Sequence, residues 1–291
     1  MTLATAFEIG TLKCHTLEGG RQKLDGGAMF GVVPKPLWER RIEPDELNRI
    51  PLSLRCLLIE HGDGPILVDT GIGNKENEKF LDIYGVENSG TDGATQLEDA
   101  LLQAGFRPED IRLVINTHLH FDHAGGNTFR AGGQGGSVAE LAFPNATYVV
   151  QRDELDYARN TNERTAASYL SHNFDPVDEV GKWQLVEGEV ELVPGVRLIP
   201  TPGHVPYHQS VLITQGAQTA CFLGDLVPTS AHVPLPWIMG YDVEPLVTLE
   251  SKRALLARAE AEEWTVIFEH DPEVALGRVV RDRKSYRCEP L

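Results

Sequence analysis

Basic residues are scarce relative to acidic ones: 26 lysines and arginines face 43 aspartates and glutamates, a formal charge of −17. That balance excludes a general affinity for nucleic acid backbones or anionic membrane surfaces. It leaves an anionic small substrate open, because a bound metal reverses the local sign. Cysteine is also sparse. Cys14, Cys56, Cys221 and Cys288 are scattered without a CxxC pair, which excludes a cysteine-based zinc site and points to thiols of a reducing compartment. Residues Met1 to Gly10 contain Glu8 and lack a basic leader or a long apolar run, so neither a signal peptide nor a membrane span is expected, and the cytoplasm is the expected location.

What is present is ample apolar material and many turn formers. Apolar residues make up 41% of 291, with 28 glycines and 18 prolines. The length suits a single domain with insertions, residues 1–291, in which a loop at about 18–50 and the segments 129–145 and 228–243 lie near the site. Residues 6–17 roughly alternate and read as an opening strand. Residues 52–60 and 65–69 flank His61-Gly62-Asp63-Gly64 as a hairpin ending in Asp69-Thr70-Gly71. Asp69 there is either a turn cap or a buried acid behind the site. Residues 94–104 have helical spacing with Gly105 as the stop, and 111–116 form a buried strand. A glycine-rich loop is expected at 131–137, a strand at 146–150 and a helix from Arg152 to Arg159. Residues 168–182 read as irregular, with His172 facing solvent. Hairpins follow at 189–200 and 211–223. The longest helix spans 244–263 with Leu246, Leu249, Leu255, Leu256 and Ala259 inward, before a strand at 264–268 and a short one near Val279-Val280.

The strand at 111–116 runs into Thr117-His118-Leu119-His120-Phe121-Asp122-His123-Ala124-Gly125-Gly126-Asn127, which puts four potential metal ligands within six residues. Crowding three imidazoles and a carboxylate costs free energy unless a cation ties them together. His118 and His120, two apart in extended backbone, can reach one metal. Asp122 and His123, where the chain begins to turn, point elsewhere, so one motif can serve two adjacent ions. Gly125-Gly126 lets the following backbone pack closely. Three further apolar strands end in polar groups: His204 on Pro202-Gly203, Asp225 after Gly224, and His270 between Glu269 and Asp271.

In this order, HxHxDH, H, D, H, the chain resembles the metallo-β-lactamase-fold superfamily from about Leu52 to Asp271. The resemblance implies an α/β fold, an αββα four-layer sandwich of mixed sheets flanked by helices, with two divalent metals at one edge. It implies that His118, His120 and His204 hold the first metal, that Asp122, His123 and His270 hold the second, and that Asp225 bridges them. Asp69 and His208 then stand behind the ligands. Imidazole and carboxylate donors suit zinc, with manganese and iron also compatible. Asp225 where mono- and dizinc β-lactamases use cysteine argues against penicillin cleavage.

Among the dinuclear branches, the motifs resemble the N-acyl homoserine lactonases: 118–127, Val150 to Glu154, Val193 to Val196, and Thr201 to His204 with His208-Gln209-Ser210. That likeness implies a hydrolase in which a metal-bridging hydroxide attacks a lactone or ester carbonyl, assisted by Asp122 or Asp225. One departure is clear. Those lactonases carry a tyrosine three residues after the bridging aspartate, and Pro228 stands there in this chain. His232 and Tyr241 are candidates to replace it, with an ordinary pocket-wall or core position as the competing reading of each. Met29, Phe30, Trp38 and Trp237 are read either as a wall for an acyl or aromatic group or as core. Organophosphate or phosphoester hydrolysis is the alternative on the same site. An iron-binding redox or metal-sensing protein is the alternative of another class, disfavoured because that branch has a glutamate within the first motif and an added flavin domain. The expected partner is a small-molecule substrate, and a homodimer is compatible with the sequence.

Overall fold

The computed structural model describes residues 2–130 and 139–291, so the loop expected at 131–137 lies outside the described residues. The chain divides into two compact units, Met1–Arg21 with Leu54–Glu187, and Gln22–Ser53 with Gly188–Leu291. Each carries its own hydrophobic core.

The first sheet has the order β1-β2-β3-β4-β5-β8-β9. Its strands are β1 (Ala4–Ile9), β2 (Leu12–Asp25), β3 (Arg49–Ile59), β4 (Ile66–Val68), β5 (Leu113–Ile115), β8 (Thr147–Gln151) and β9 (Trp183–Val186). A two-stranded ribbon, β6 (Thr128–Phe129) with β7 (Glu140–Leu141), stands apart. The opening strand expected over 6–17 is two strands. Ile9 pairs with Leu12 across Gly10-Thr11, and Gly10 takes the positive φ of 59° that a two-residue hairpin turn needs. The strand β2 then continues through the glycines expected to be loop. Between β2 and β3 lie α1 (Gly26–Phe30) and α2 (Lys35–Trp38).

The hairpin at 52–69 forms with Leu57 opposite Val68. From β4 the chain passes α3 (Glu78–Ile83) and α4 (Gln96–Ala104) and returns as β5, parallel to β4. The helix α4 starts on a capping box, Thr95 with Glu98, and stops at Gly105 in the left-handed region, where the sequence placed its end. Its inner face, Leu97, Ala100 and Leu101, packs with Leu17, Cys56, Leu58, Leu67, Val114 and Tyr148. After β5 come α5 (Phe121–Ala124), α6 (Arg152–Arg159) and α7 (Asp175–Glu179), the last a helical turn within a stretch that reads as irregular.

The second sheet has the order β10-β11-β12-β13-β14-β15-β16. Its strands are β10 (Val190–Val193), β11 (Val196–Pro200), β12 (Gln209–Gln215), β13 (Gln218–Phe222), β14 (Thr265–Ile267), β15 (Leu276–Asp282) and β16 (Ser285–Pro290). The strand near Val279 is therefore a hairpin. Between the parallel pair β13 and β14 runs α8 (Pro245–Ala261). Its Leu255, Leu256 and Ala259 pack with Cys221, Trp264, Val266 and Val279. Leu246, expected inward, is 77% exposed, because the buried face runs through Thr248, Lys252, Leu255 and Ala259 and the first turn lies off it.

Each unit thus repeats one device, a strand, a helical crossover and a parallel strand. The polar residues of interest follow the carboxyl ends of those parallel strands: Asp69 after β4, His118 after β5, Asp225 after β13 and His270 after β14. Among the described residues no helix is long and apolar enough to cross a membrane.

Candidate metal centre

In the first unit the parallel register sets the arrangement. Val68 lies opposite Ile115, so the chain leaves β4 and β5 side by side, and the Asp69 amide donates to the Ile115 carbonyl at 2.9 Å. Asp69 is fully buried at a φ of 54°, strained for a residue with a side chain. Its carboxylate accepts the Thr117 amide at 2.8 Å and the Thr117 hydroxyl at 2.7 Å, and meets His123 Nδ1 at 3.1 Å. Asp69 is therefore the buried acid of the two readings open in the sequence.

These bonds fix tautomers. The Thr117 hydroxyl has one proton, given to Asp69, so at His118 Nδ1, 3.0 Å away, it accepts. His118 then carries its proton on Nδ1 and presents Nε2 as a donor atom for a cation. His123 does the same, with Nδ1 held by Asp69. The rings crowd together: His118 lies 4.4 Å from His120 and 4.0 Å from His123, centroid to centroid. Donor atoms of His118 and His120 approach within 4.8 Å, as do those of Asp122 and His123.

The surrounding chain is tied down just as closely. The Leu119 amide, between the two histidines, donates to buried Glu154 at 3.0 Å; Glu154 also accepts the Tyr169 hydroxyl at 2.9 Å, and the Tyr169 ring stands 4.7 Å from His120. Burial, then the Glu154 charge, pushes the Tyr169 phenol well above its usual range. Buried Lys75 donates to the Gly125 carbonyl, and to that of Thr128 at 2.7 Å; desolvation pulls its ammonium down to about 7. A methyl group on Gly126 would collide with the Thr70 carbonyl, which accounts for the glycine pair. Gly126→Ala should therefore cost about 1–3 kcal/mol by overpacking, read as a lowered denaturant midpoint with an unchanged slope. Beside Asp122, Phe121 joins Phe80 and Tyr84 in an aromatic cluster with centroids 4.5–4.9 Å apart. Tyr84 is half-buried, and desolvation with the Asp122 charge raises its pKa.

In the second unit Asp225 is the hub. Its carboxylate faces His204 Nε2 at 3.0 Å and His270 Nε2 at 3.1 Å. His204 Nδ1 is held by Asp242 at 2.9 Å, and His270 Nδ1 by the Ser53 carbonyl at 2.8 Å. Both imidazoles therefore keep a proton on Nδ1. Two Nε2 lone pairs aimed at one carboxylate repel unless each ring is protonated or a cation lies among them. The donor chemistry fits a divalent metal of borderline softness. The Asp225 amide donates to His208 Nε2 at 3.1 Å, which puts the His208 proton on Nδ1. From there it passes to Thr201 Oγ1 at 2.8 Å, on to Ser210 Oγ at 3.0 Å and to the Leu223 carbonyl at 3.1 Å. This directional chain seats the Asp225 backbone. The Pro228 carbonyl accepts the His270 amide at 3.0 Å, a bond that any residue at this position could make through its backbone.

The two proposed replacements for that tyrosine fare differently. His232 is 1% exposed, with Nε2 on the Met29 carbonyl at 2.8 Å, Nδ1 on Thr229 Oγ1 at 2.7 Å, and its ring stacked on Phe30 at 4.5 Å. Burial pulls its pKa down to about 4. With both nitrogens bonded and the ring buried, His232 occupies the core position that the sequence left as the competing reading. Tyr241 is 39% exposed and adjoins Asp242. Met29, Phe30 and Trp38 belong to the core, with Trp237 partly buried against them. His172 is not simply solvent-facing, because its Nε2 pairs with Glu76 at 2.7 Å.

Sequence reading passed over Asp242 and Lys75, and it named Glu154 and Thr117 only as parts of longer motifs. Asp242 follows no strand and so carries no local signal, and the contact of Glu154 with the Leu119 amide spans 35 residues. Thr117 opens the histidine motif and was legible in principle as the hydroxyl beside it.

The sequence model of the Metallo-beta-lactamase superfamily matches residues 50–131 and 135–270. An N-acyl homoserine lactonase from a Bacillus species is 33% identical over 273 residues, covering 91% of this chain and 95% of that protein. Among solved structures, a probable metal-dependent hydrolase from Staphylococcus aureus superposes with a TM-score of 0.85 at 33% identity, covering 97% of this chain and 99% of that one. An N-acyl homoserine lactone hydrolase, solved with the product N-hexanoyl-L-homoserine at its catalytic metal centre, superposes at 0.67 with 28% identity over 92% and 95% of the two chains.

Proposed function

We propose, from the premise that this chain belongs to the metallo-beta-lactamase superfamily, that it is a metal-dependent hydrolase opening lactone rings, with N-acyl homoserine lactones as the substrate class. The observation that carries the reading is Asp225 between the Nε2 atoms of His204 and His270, each ring preset by a partner on Nδ1. On this proposal the two donor sets act as one dinuclear centre. His118, His120 and His204 hold one ion, Asp122, His123 and His270 hold the other, and Asp225 is shared. Zinc suits these donors. Bound divalent ions supply Lewis acidity and a water acidic enough to ionise near neutral pH.

The chain's own residues do the rest. Asp69 and Asp242 hold His123 and His204 in the Nδ1-protonated form, and Ser53 does so for His270. Asp122, beside the aromatic cluster, would take the proton released by the attacking water and give it to the leaving alkoxide as the ring opens. Phe80, Tyr84 and Phe121 offer an apolar surface for the acyl group of such a lactone. Four cysteines without a disulfide among them suit a reducing compartment, and we place the protein in the cytoplasm on that ground.

The test is a hydrolysis panel on metal-quantified protein: N-acyl homoserine lactones of several chain lengths, simple lactones, aryl esters and phosphotriesters. The proposal expects kcat/KM to be highest for acylated lactones. Phosphotriester cleavage without turnover of any lactone would overturn it.

A further inference from the structure

One charged group in the second core is unused by the site. Lys252 lies on the buried face of α8, 1% exposed, in line with Thr248 and Leu255. An ammonium in such a place costs several kcal/mol unless its protons are met. Its Nζ faces the backbone oxygens of a single turn: Pro234 at 2.8 Å, Trp237 at 2.8 Å and Leu235 at 3.5 Å. Three N–H groups thus converge on three carbonyls, as a bound cation would be coordinated. Burial pulls the ammonium down to about 7, with Asp242 acting in the opposite direction. A methionine has nearly the same length and would fill the same space, so helix packing alone does not call for an amine.

The turn itself does. Among its own bonds is that from the Trp237 amide to the Pro234 carbonyl at 3.0 Å, so its carbonyls crowd together and repel without a positive centre. It places Trp237 edge-on to Phe30 at 5.7 Å, with the Arg41 guanidinium over its ring at 5.8 Å. The segment then runs through Gly240, whose amide donates to Ala28 at 2.8 Å, to Asp242, the holder of His204 Nδ1.

We propose that Lys252 is a positioning residue: an internal ammonium that sets the Pro234–Trp237 turn and, through Asp242 at the end of that segment, keeps His204 in its donor orientation. The second half rests on the reading of His204 as a metal ligand; the first half does not.

The experiment compares zinc-loaded wild type with Lys252→Met and Lys252→Gln, the glutamine retaining an uncharged NH2 donor should the methionine variant not fold. Amide hydrogen exchange at Leu235 and at residues 237–242 is expected to speed up at least tenfold, with residues 250–260 of α8 unchanged within twofold. Release of zinc to a chromogenic chelator should speed up about tenfold, and the visible spectrum of the cobalt-substituted protein should shift. Asp242→Asn should reproduce the faster release and spectral shift while leaving exchange at Leu235 and Trp237 near wild type. Equal exchange at Leu235 and residues 237–242 in all three proteins would overturn the clamp. Faster exchange with unaltered zinc release and cobalt spectrum would overturn the link to His204. None of these three readouts uses turnover, so a protein that opens no lactone still decides this point.

Discussion

Asp225→Asn should lower kcat/KM for lactone opening by roughly 10²–10⁴-fold and cut bound zinc from two ions to about one per chain. The substitution preserves shape and removes one negative charge. In the native chain that charge faces two imidazole Nε2 atoms at 3.0 and 3.1 Å, and the side chain is only 8% exposed. Two divalent cations sharing this site would repel in a low-dielectric setting, and a neutral amide would not offset that repulsion. The backbone chain through His208, Thr201 and Ser210 leaves the amide in the same place, so the fold should survive. Zinc quantification and steady-state kinetics on the same preparation check both halves. Two zincs with full activity in the variant would sink the shared-ligand role.

Asp69→Ala is expected to be the most destabilising single change, on the order of 3–5 kcal/mol, because it strands donors that one buried carboxylate now satisfies. Those donors are the Thr117 amide, the Thr117 hydroxyl and His123 Nδ1, at 2.7–3.1 Å. Losing the hydroxyl's acceptor also frees it to reverse toward His118 Nδ1, scrambling the tautomer that presents Nε2. Zinc affinity should fall by about 10–100-fold in addition. Asp69→Asn separates the two effects. It keeps the volume and one acceptor, so most stability should return while affinity stays reduced. Thermal melts at fixed zinc, paired with chelator competition, distinguish them. A variant that melts like wild type and holds zinc equally well would show that Asp69 is only a turn residue.

Several residues of the candidate site were legible because they sit where an apolar run ends. Asp69, His118, Asp225 and His270 all follow β strands of the parallel crossovers, and hydrophobic periodicity locates such ends well. The helix α4 was equally clear, because Thr95, Glu98 and Gly105 announce both of its ends. Other features depend on contacts distant in sequence. The role of His232 turned on Met29, 203 residues away, and that of His270 on Ser53, 217 away. No local pattern carries such pairings. Glycines misled in two directions. Gly19 and Gly20 lie within a strand, and Gly10 splits one that seemed continuous. In each case conformational freedom was visible but its use was set by pairing partners. Lys252 was hidden for a different reason: hydrophobic periodicity places a lysine on the solvent side unless an internal set of carbonyls is known.

On the proposed function, two divalent ions held by these side chains carry out lactone opening. Titrating metal-free protein with zinc while following ring opening of an N-acyl homoserine lactone tests it directly. Activity should climb to a plateau at two equivalents per chain and collapse when the zinc is removed. Undiminished ring opening by the metal-free protein, or none at two equivalents, would contradict it.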